Sequence, residues 1–176
     1  MPHINIEIKA RCHDTDRIKR ILIGNKAEFR GLDHQIDTYF HSKDGRLKLR
    51  ESDFDEENHL IFYSREEHSG PKESRIILYR TKKGPKLREI LEKSNGILVV
   101  VKKEREIYFI QNVKFHIDNV ETLGSFIEIE ARDTEGKIGK DRLEEQCRFY
   151  IHLFDIQRES IVPESYSDMI LRNQKA

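Results

Sequence analysis

Polar and charged side chains recur at a spacing of two along much of the chain: Asn5, Glu7 and Lys9; Arg46, Lys48 and Arg50; Lys103 and Arg105; Lys114, His116 and Asp118; Glu128, Glu130 and Arg132. In an extended chain residues i, i+2 and i+4 share one face. Each set is therefore the polar face of a strand whose other face is apolar, as with Ile4, Ile6 and Ile8, or Ile127 and Ile129. Arg65 shares such a face with Ile61 and Tyr63. The signs segregate: basic groups fill the middle of the chain, and the carboxylates of Glu7, Glu128 and Glu130 lie near its ends. Opposed basic and acidic walls suit a polyphosphate. Arginine engages phosphate oxygens in bidentate fashion, and lysine adds point charge. A hard cation such as Mg²⁺ takes one or two carboxylates plus phosphate oxygens, so a small Glu cluster is enough. In that chemistry the protein positions groups and neutralises developing charge.

Two readings of these faces compete. A charge run on a strand ordinarily faces solvent. In the other reading the sheet closes with its polar faces inward. The recurrence of the pattern, the crowding of like charges at Arg46, Lys48 and Arg50 and at Glu128 and Glu130, and the segregation of sign favour the second.

The positioning elements follow from periodicity. Strands are expected at 4–9, 34–41, 46–50, 60–66, 75–80, 97–110, 113–120 and 125–132. Helices are expected at 14–23 with Asp14 as cap, at 85–94, at 138–151, and at 164–172 with Pro163 at its start. The segment 68–72 reads as a loop. Eight strands with few helices and short turns predict an α+β fold, a mainly antiparallel eight-stranded closed β-barrel or tunnel with short flanking helices. One domain over 1–176 is expected, with no linker, repeat or low-complexity stretch.

Composition limits the partners. Lys plus Arg number 32 and Asp plus Glu 32, so net charge steers toward neither nucleic acid nor membrane. No apolar run approaches the length of a membrane span. Cys12 and Cys147 lie far apart in sequence and read as free thiols. A charged strand follows the N-terminus at once, which is unlike a signal peptide, so a cytoplasmic location is expected.

The motifs resemble those of the CYTH superfamily, the triphosphate tunnel metalloenzymes, which include class IV adenylyl cyclases, thiamine triphosphatases and inorganic triphosphatases. The family's E-x-E-x-K signature corresponds to residues 5–9, Asn-Ile-Glu-Ile-Lys. QIDTYF (35–40), GRLKLRE (45–51), LIFYSR (60–65), VVVKKER (99–105), HIDNVETLGSFIEIE (116–130) and ESYSDMI (164–170) resemble the class IV cyclase branch. The resemblance implies that Glu7, Glu128 and Glu130 bind Mg²⁺ or Mn²⁺, with Asp118 close by. It implies that Lys9, Lys48, Arg50, Arg65, Arg75, Lys103 and Arg105 hold phosphates, with Arg46 on the same face as Lys48 and Arg50. Lys9, Arg50 and Asp118 are the expected catalytic groups. Asp37 and Tyr39 belong to a motif read as structural.

Asn5 departs from the signature. Its amide can ligate a cation through oxygen but attracts it less than a carboxylate does. His116 reads as a strand histidine satisfied by its neighbours, with phosphate donation or proton transfer as the alternative. Tyr79, Tyr108 and Tyr166 read as packing residues, and no base pocket is visible. The expected activity is conversion of ATP to cyclic AMP and pyrophosphate. The alternatives are hydrolysis of tripolyphosphate or thiamine triphosphate, or binding of such a small-molecule triphosphate without turnover. Homodimerisation is left open. Replacing Glu128 and Glu130 by Gln is expected to leave the fold intact, with relief of carboxylate repulsion.

Overall fold

A computed structural model describes residues 4–65 and 74–176, the side chains of 4, 64, 65, 74 and 75 excepted. The loop expected at 68–72, and the phosphate roles expected of the Arg65 and Arg75 side chains, lie outside the described residues. Strands β1 (Ile4–Arg11), β2 (Glu28–Phe40), β3 (Arg46–Ser52), β4 (Glu57–Arg65), β5 (Ser74–Lys82), β6 (Ile97–Ile110), β7 (Val113–Val120) and β8 (Gly124–Asp133) form one mainly antiparallel sheet in the order β1-β8-β7-β6-β2-β3-β4-β5. Helices are α1 (Thr15–Gly24), α2 (Lys86–Asn95), α3 (Lys140–Leu153) and α4 (Tyr166–Lys175). This is the α+β, eight-stranded architecture expected. Among the described residues its ladders leave β1 and β5 as ends of the series. No helix among the described residues is long and apolar enough to cross a membrane. Both cysteines are free thiols.

The chain forms two compact units, one from 1–32 and 104–164, the other from 33–103 and 165–176. In the first, β8 lies between β1 and β7, pairing Ile8 with Ile129 and Phe115 with Ile129. Ile6, Ile8 and Ala10, Val113, Phe115 and Ile117, and Ile127, Ile129 and Ala131 thus share one apolar face. Ile18 and Leu22 of α1 and Leu143, Cys147 and Tyr150 of α3 join that face in the core. Asp14 caps α1 as expected, accepting from the Arg17 amide at 2.9 Å. Fully burying one such aliphatic side chain contributes about 2 kcal/mol, which anchors α1 and α3 against the sheet.

In the second unit β2, β3, β4 and β5 pair in sequence. Phe40 and Leu49 are buried here. β2 begins at Glu28, upstream of the expected start at 34. Gly31, at φ 138°, interrupts the alternation by which a strand is read. α4 begins after Ser165 rather than at Glu164, because the Ser165 hydroxyl accepts from the Asp168 amide. The β2–β3 turn closes at Gly45, whose φ is +68°, and a Cβ there would meet the Tyr63 carbonyl oxygen at 2.6 Å. Gly45→Ala is expected to cost about 1–3 kcal/mol, read as a lower urea midpoint. An unchanged midpoint would show that the turn relaxes freely.

Candidate functional site

The polar face of the first unit is a grid fixed by register. Asn5 lies opposite Arg132, Glu7 opposite Glu130, and Lys9 opposite Glu128. On the other side of β8, Lys114 neighbours Glu130, His116 neighbours Glu128, and Asp118 neighbours Phe126. This face is not simply solvated: Asp118, His116, Glu128 and Arg105 are 0%, 5%, 6% and 8% exposed. Buried charges persist only where they are paired, and these are. The Arg105 guanidinium donates from Nε and Nη2 to the two oxygens of Asp118 at 2.7 and 2.6 Å, and from Nη2 to Glu128 Oε2 at 3.0 Å. His116 Nδ1 meets the same Glu128 oxygen at 3.0 Å, and Lys9 Nζ stands 3.6 Å from Glu128 Oε1.

Burial works against charge on Glu128, but Arg105, His116 and Lys9 hold its carboxyl well below the usual range. Burial pushes His116 down to about 4, and Arg105 adds to this. The imidazole is therefore neutral near pH 7. With Nδ1–H donating to Glu128, its Nε2 is a buried acceptor with no hydrogen-bond partner among the described residues. Glu7 behaves oppositely. Solvent reaches its side chain, yet the surrounding protein mass raises its carboxyl pKa. Glu128 and Glu130 raise it further, against Lys9 and Arg105. Asn5 donates through Nδ2 to Glu130 Oε1 at 3.0 Å.

The second unit carries its own polar face. Asp37 of β2 lies opposite Arg50, Tyr39 opposite Lys48, and on the next strand His59, Ile61 and Tyr63 lie opposite Arg50, Lys48 and Arg46. Asp37, 3% exposed, accepts two bonds from Arg50 at 2.7 and 2.6 Å and one from Lys48 at 2.9 Å. Burial opposes its charge, but Arg50, Lys48 and Lys103 hold its carboxyl far below the usual range. Burial lowers the Lys48 ammonium pKa, and Asp37 opposes that shift. Lys103 lies over the Tyr166 ring at 5.4 Å. Arg46 Nη2 donates to Asp168 Oδ1 at 2.5 Å, while its Nη1 is buried with no hydrogen-bond partner among the described residues.

Of the expected site residues, the first unit thus gathers Glu7, Lys9, Arg105, Asp118, Glu128 and Glu130. The second gathers Arg46, Lys48, Arg50 and Lys103. Asp118 has no exposed surface, and its two oxygens accept from the Arg105 guanidinium. Sequence reading missed Asp168 as the partner of Arg46. Its only signal was the Ser165-x-x-Asp168 spacing of a capping box.

Among the described residues no three His, Cys, Asp or Glu side chains stand as a ready metal cluster. The donor chemistry nonetheless fits a hard cation. Glu7, Glu128 and Glu130 offer only oxygen; burial raises the Glu7 pKa first and the Glu128 and Glu130 carboxylates raise it further, and a cation would relieve that repulsion.

Residues 3–166 match the model of the CYTH domain. The chain belongs to the CYTH domain family. A Methanocaldococcus jannaschii protein, named a "putative adenylate cyclase", is 27% identical, and the match covers 94% of this chain and 98% of that protein. Two solved structures share the CYTH-like fold. The Pyrococcus horikoshii OT3 protein PH1012 superposes with a TM-score of 0.77 at 23% identity, covering 94% of this chain and 98% of that one. A Hippeastrum protein, described as a putative adenylyl cyclase with a dominant triphosphatase activity, gives 0.68 at 14% identity, covering 99% and 97%. Within this CYTH chain the expected acidic residue of the signature is Asn5, and its amide turns a carboxylate–carboxylate repulsion into a hydrogen bond to Glu130.

Proposed function

We propose that the chain, as one CYTH domain over 1–176, is a metal-dependent enzyme acting on a triphosphate, of the adenylyl cyclase type. The observation that carries this is the polar face of β1, β7 and β8, where Glu7 lies opposite Glu130, Lys9 Nζ stands 3.6 Å from Glu128 and Arg105 donates to Glu128, so carboxylate oxygens for a cation adjoin donors for an anion. Glu7, Glu128 and Glu130 would hold Mg²⁺ or Mn²⁺, which when bound supplies charge neutralisation on phosphate oxygens. Lys9 and Arg105 bind phosphate oxygens. Asp118 fixes the guanidinium plane, so Arg105 remains oriented whatever Glu128 does. Lys48, Arg50, Lys103 and Arg46 are assigned to phosphate oxygens as well, with Arg65 and Arg75 added from the family pattern. The buried Nη1 of Arg46, with no hydrogen-bond partner among the described residues, supports its inclusion. In cyclisation the ribose 3′-oxygen forms a bond to the α-phosphorus as the α–β bridging bond breaks. Pyrophosphate leaves, and the hydroxyl proton is released. With water as nucleophile the same groups serve hydrolysis.

Purified protein with ATP and Mg²⁺ or Mn²⁺ is expected to yield cyclic AMP and pyrophosphate. Phosphate release from ATP or tripolyphosphate without cyclic AMP would replace this reading by the triphosphatase one. Binding without turnover would make the chain a sensor.

Asn5 gives a graded test. Asn5→Glu restores a carboxylate and removes the donor to Glu130. Metal binding by calorimetry is expected to tighten roughly tenfold, while the metal-free protein loses some thermal stability through like-charge repulsion. A variant with unchanged metal affinity would place the cation away from β1.

A further inference from the structure

In the second unit, the cationic column of β3 continues sideways into an apolar corner. Across the ladders Arg46, Tyr63 and Ile76 form one row, and Lys48, Ile61 and Leu78 form the next. A third row is Asp37, Arg50, His59 and Arg80. Paired residues in an antiparallel ladder point to the same side of the sheet. Ile61, Tyr63, Ile76 and Leu78 therefore stand on the face that carries Lys48 and Arg50. Ile76 and Leu78 are 64% and 49% exposed. Apolar surface left open beside a row of phosphate donors is the composition of a site for a ligand with one anionic and one apolar end. Successive strands are about 4.8 Å apart, so Leu78 lies about 10 Å from the Lys48 strand, one neighbouring group along such a ligand.

We propose that Ile61, Tyr63, Ile76 and Leu78 form the subsite for the organic end of the substrate, and that this end is an uncharged ring system such as a nucleobase. The assignment rests on the triphosphate reading above. It names the substrate class: a nucleoside triphosphate, in preference to inorganic tripolyphosphate, which has nothing to place there. A cationic ring such as that of thiamine triphosphate is disfavoured, because Arg46 and Arg80 flank the corner. Tyr63 adds a ring face. Ile77 and Tyr79 are as exposed but belong to the opposite face, away from Lys48.

The test is calorimetric binding of adenosine 5′-(β,γ-imido)triphosphate and of tripolyphosphate, each with Mn²⁺, to the wild type, Ile76→Ser, Leu78→Ser and the opposite-face control Ile77→Ser. The wild type is expected to bind the nucleotide more tightly than tripolyphosphate. Ile76→Ser and Leu78→Ser are each expected to reduce that preference about tenfold, and Ile77→Ser to preserve it. Equal weakening of both ligands, no weakening, or the same change in Ile77→Ser would overturn the subsite; the last would mark β5 as a protein-docking edge. A wild type that binds tripolyphosphate but not the nucleotide would overturn the subsite alone. Binding of neither would overturn the triphosphate reading and the subsite with it.

Discussion

Asp37→Asn is expected to destabilise the protein by about 3 kcal/mol at neutral pH, the low end of what breaking a buried ion pair costs. The oxygens of Asp37 take three donors from Arg50 and Lys48 at 2.6–2.9 Å. An amide keeps the shape but cancels no charge, and it turns one acceptor into a donor facing donors. The estimate stays at the low end because the Arg50 side chain is 23% exposed and can recover some hydration. The pH dependence has a definite sign. The folded-state pKa of Asp37 lies far below the ordinary 3.8. Its contribution is therefore complete above about pH 4 and is lost as the pH falls below that value. Urea unfolding of both proteins from pH 7 down to pH 2 should show a gap that is constant at first and then narrows. A variant as stable as the wild type at pH 7 would show that the two cations need no internal partner.

Glu128→Gln is expected to lower metal-dependent turnover by at least about a hundredfold. The same side chain serves as proposed cation ligand, partner of Arg105 and Lys9, and acceptor for His116. The structure also changes the stability forecast made from sequence. Relief of repulsion was expected on replacing Glu128 and Glu130. Yet the Glu128 carboxyl is held below its usual range by net attraction, so it is stabilised, not repelled. The Glu7 carboxyl is raised by burial first and then by repulsion from Glu128 and Glu130. Glu128→Gln should therefore lower thermal stability even though Asp118 still holds Arg105, whereas Glu130→Gln should ease Glu7. Turnover that survives Glu128→Gln with unchanged metal dependence would remove Glu128 from the cation site.

Much of the fold was legible where alternation was unbroken. β6 and β7 span the residues expected, and the polar and apolar faces of β1, β7 and β8 are those the period of two assigns. The burial of Lys103, Arg105, His116, Asp118 and Glu128 on the polar faces was also anticipated, because like charges at spacing two have no use on a solvated face. What escaped depends on register and on distant contacts. Nothing local to Asp37 says that Arg50 and Lys48 face it; that follows only once β2 and β3 are paired. Asp168 sits 122 residues from Arg46, and its capping role masked its charge role. The apolar corner was invisible for the same reason. RIILYR reads as an ordinary strand until pairing with β4 puts alternate side chains beside the cations.

The pairing of Arg50 and Lys48 with Asp37, and of Arg46 with Asp168, bears on how binding responds to salt. A polyanion meeting bare lysines and arginines usually displaces a cloud of small counterions, and its affinity falls steeply with ionic strength. Here the three cations already share two fixed carboxylates as counterions. Association is then an exchange of one internal partner for an incoming one. The protein stores this basic surface as its own salt, and its affinity for phosphates should vary with ionic strength less than the number of basic residues alone would require.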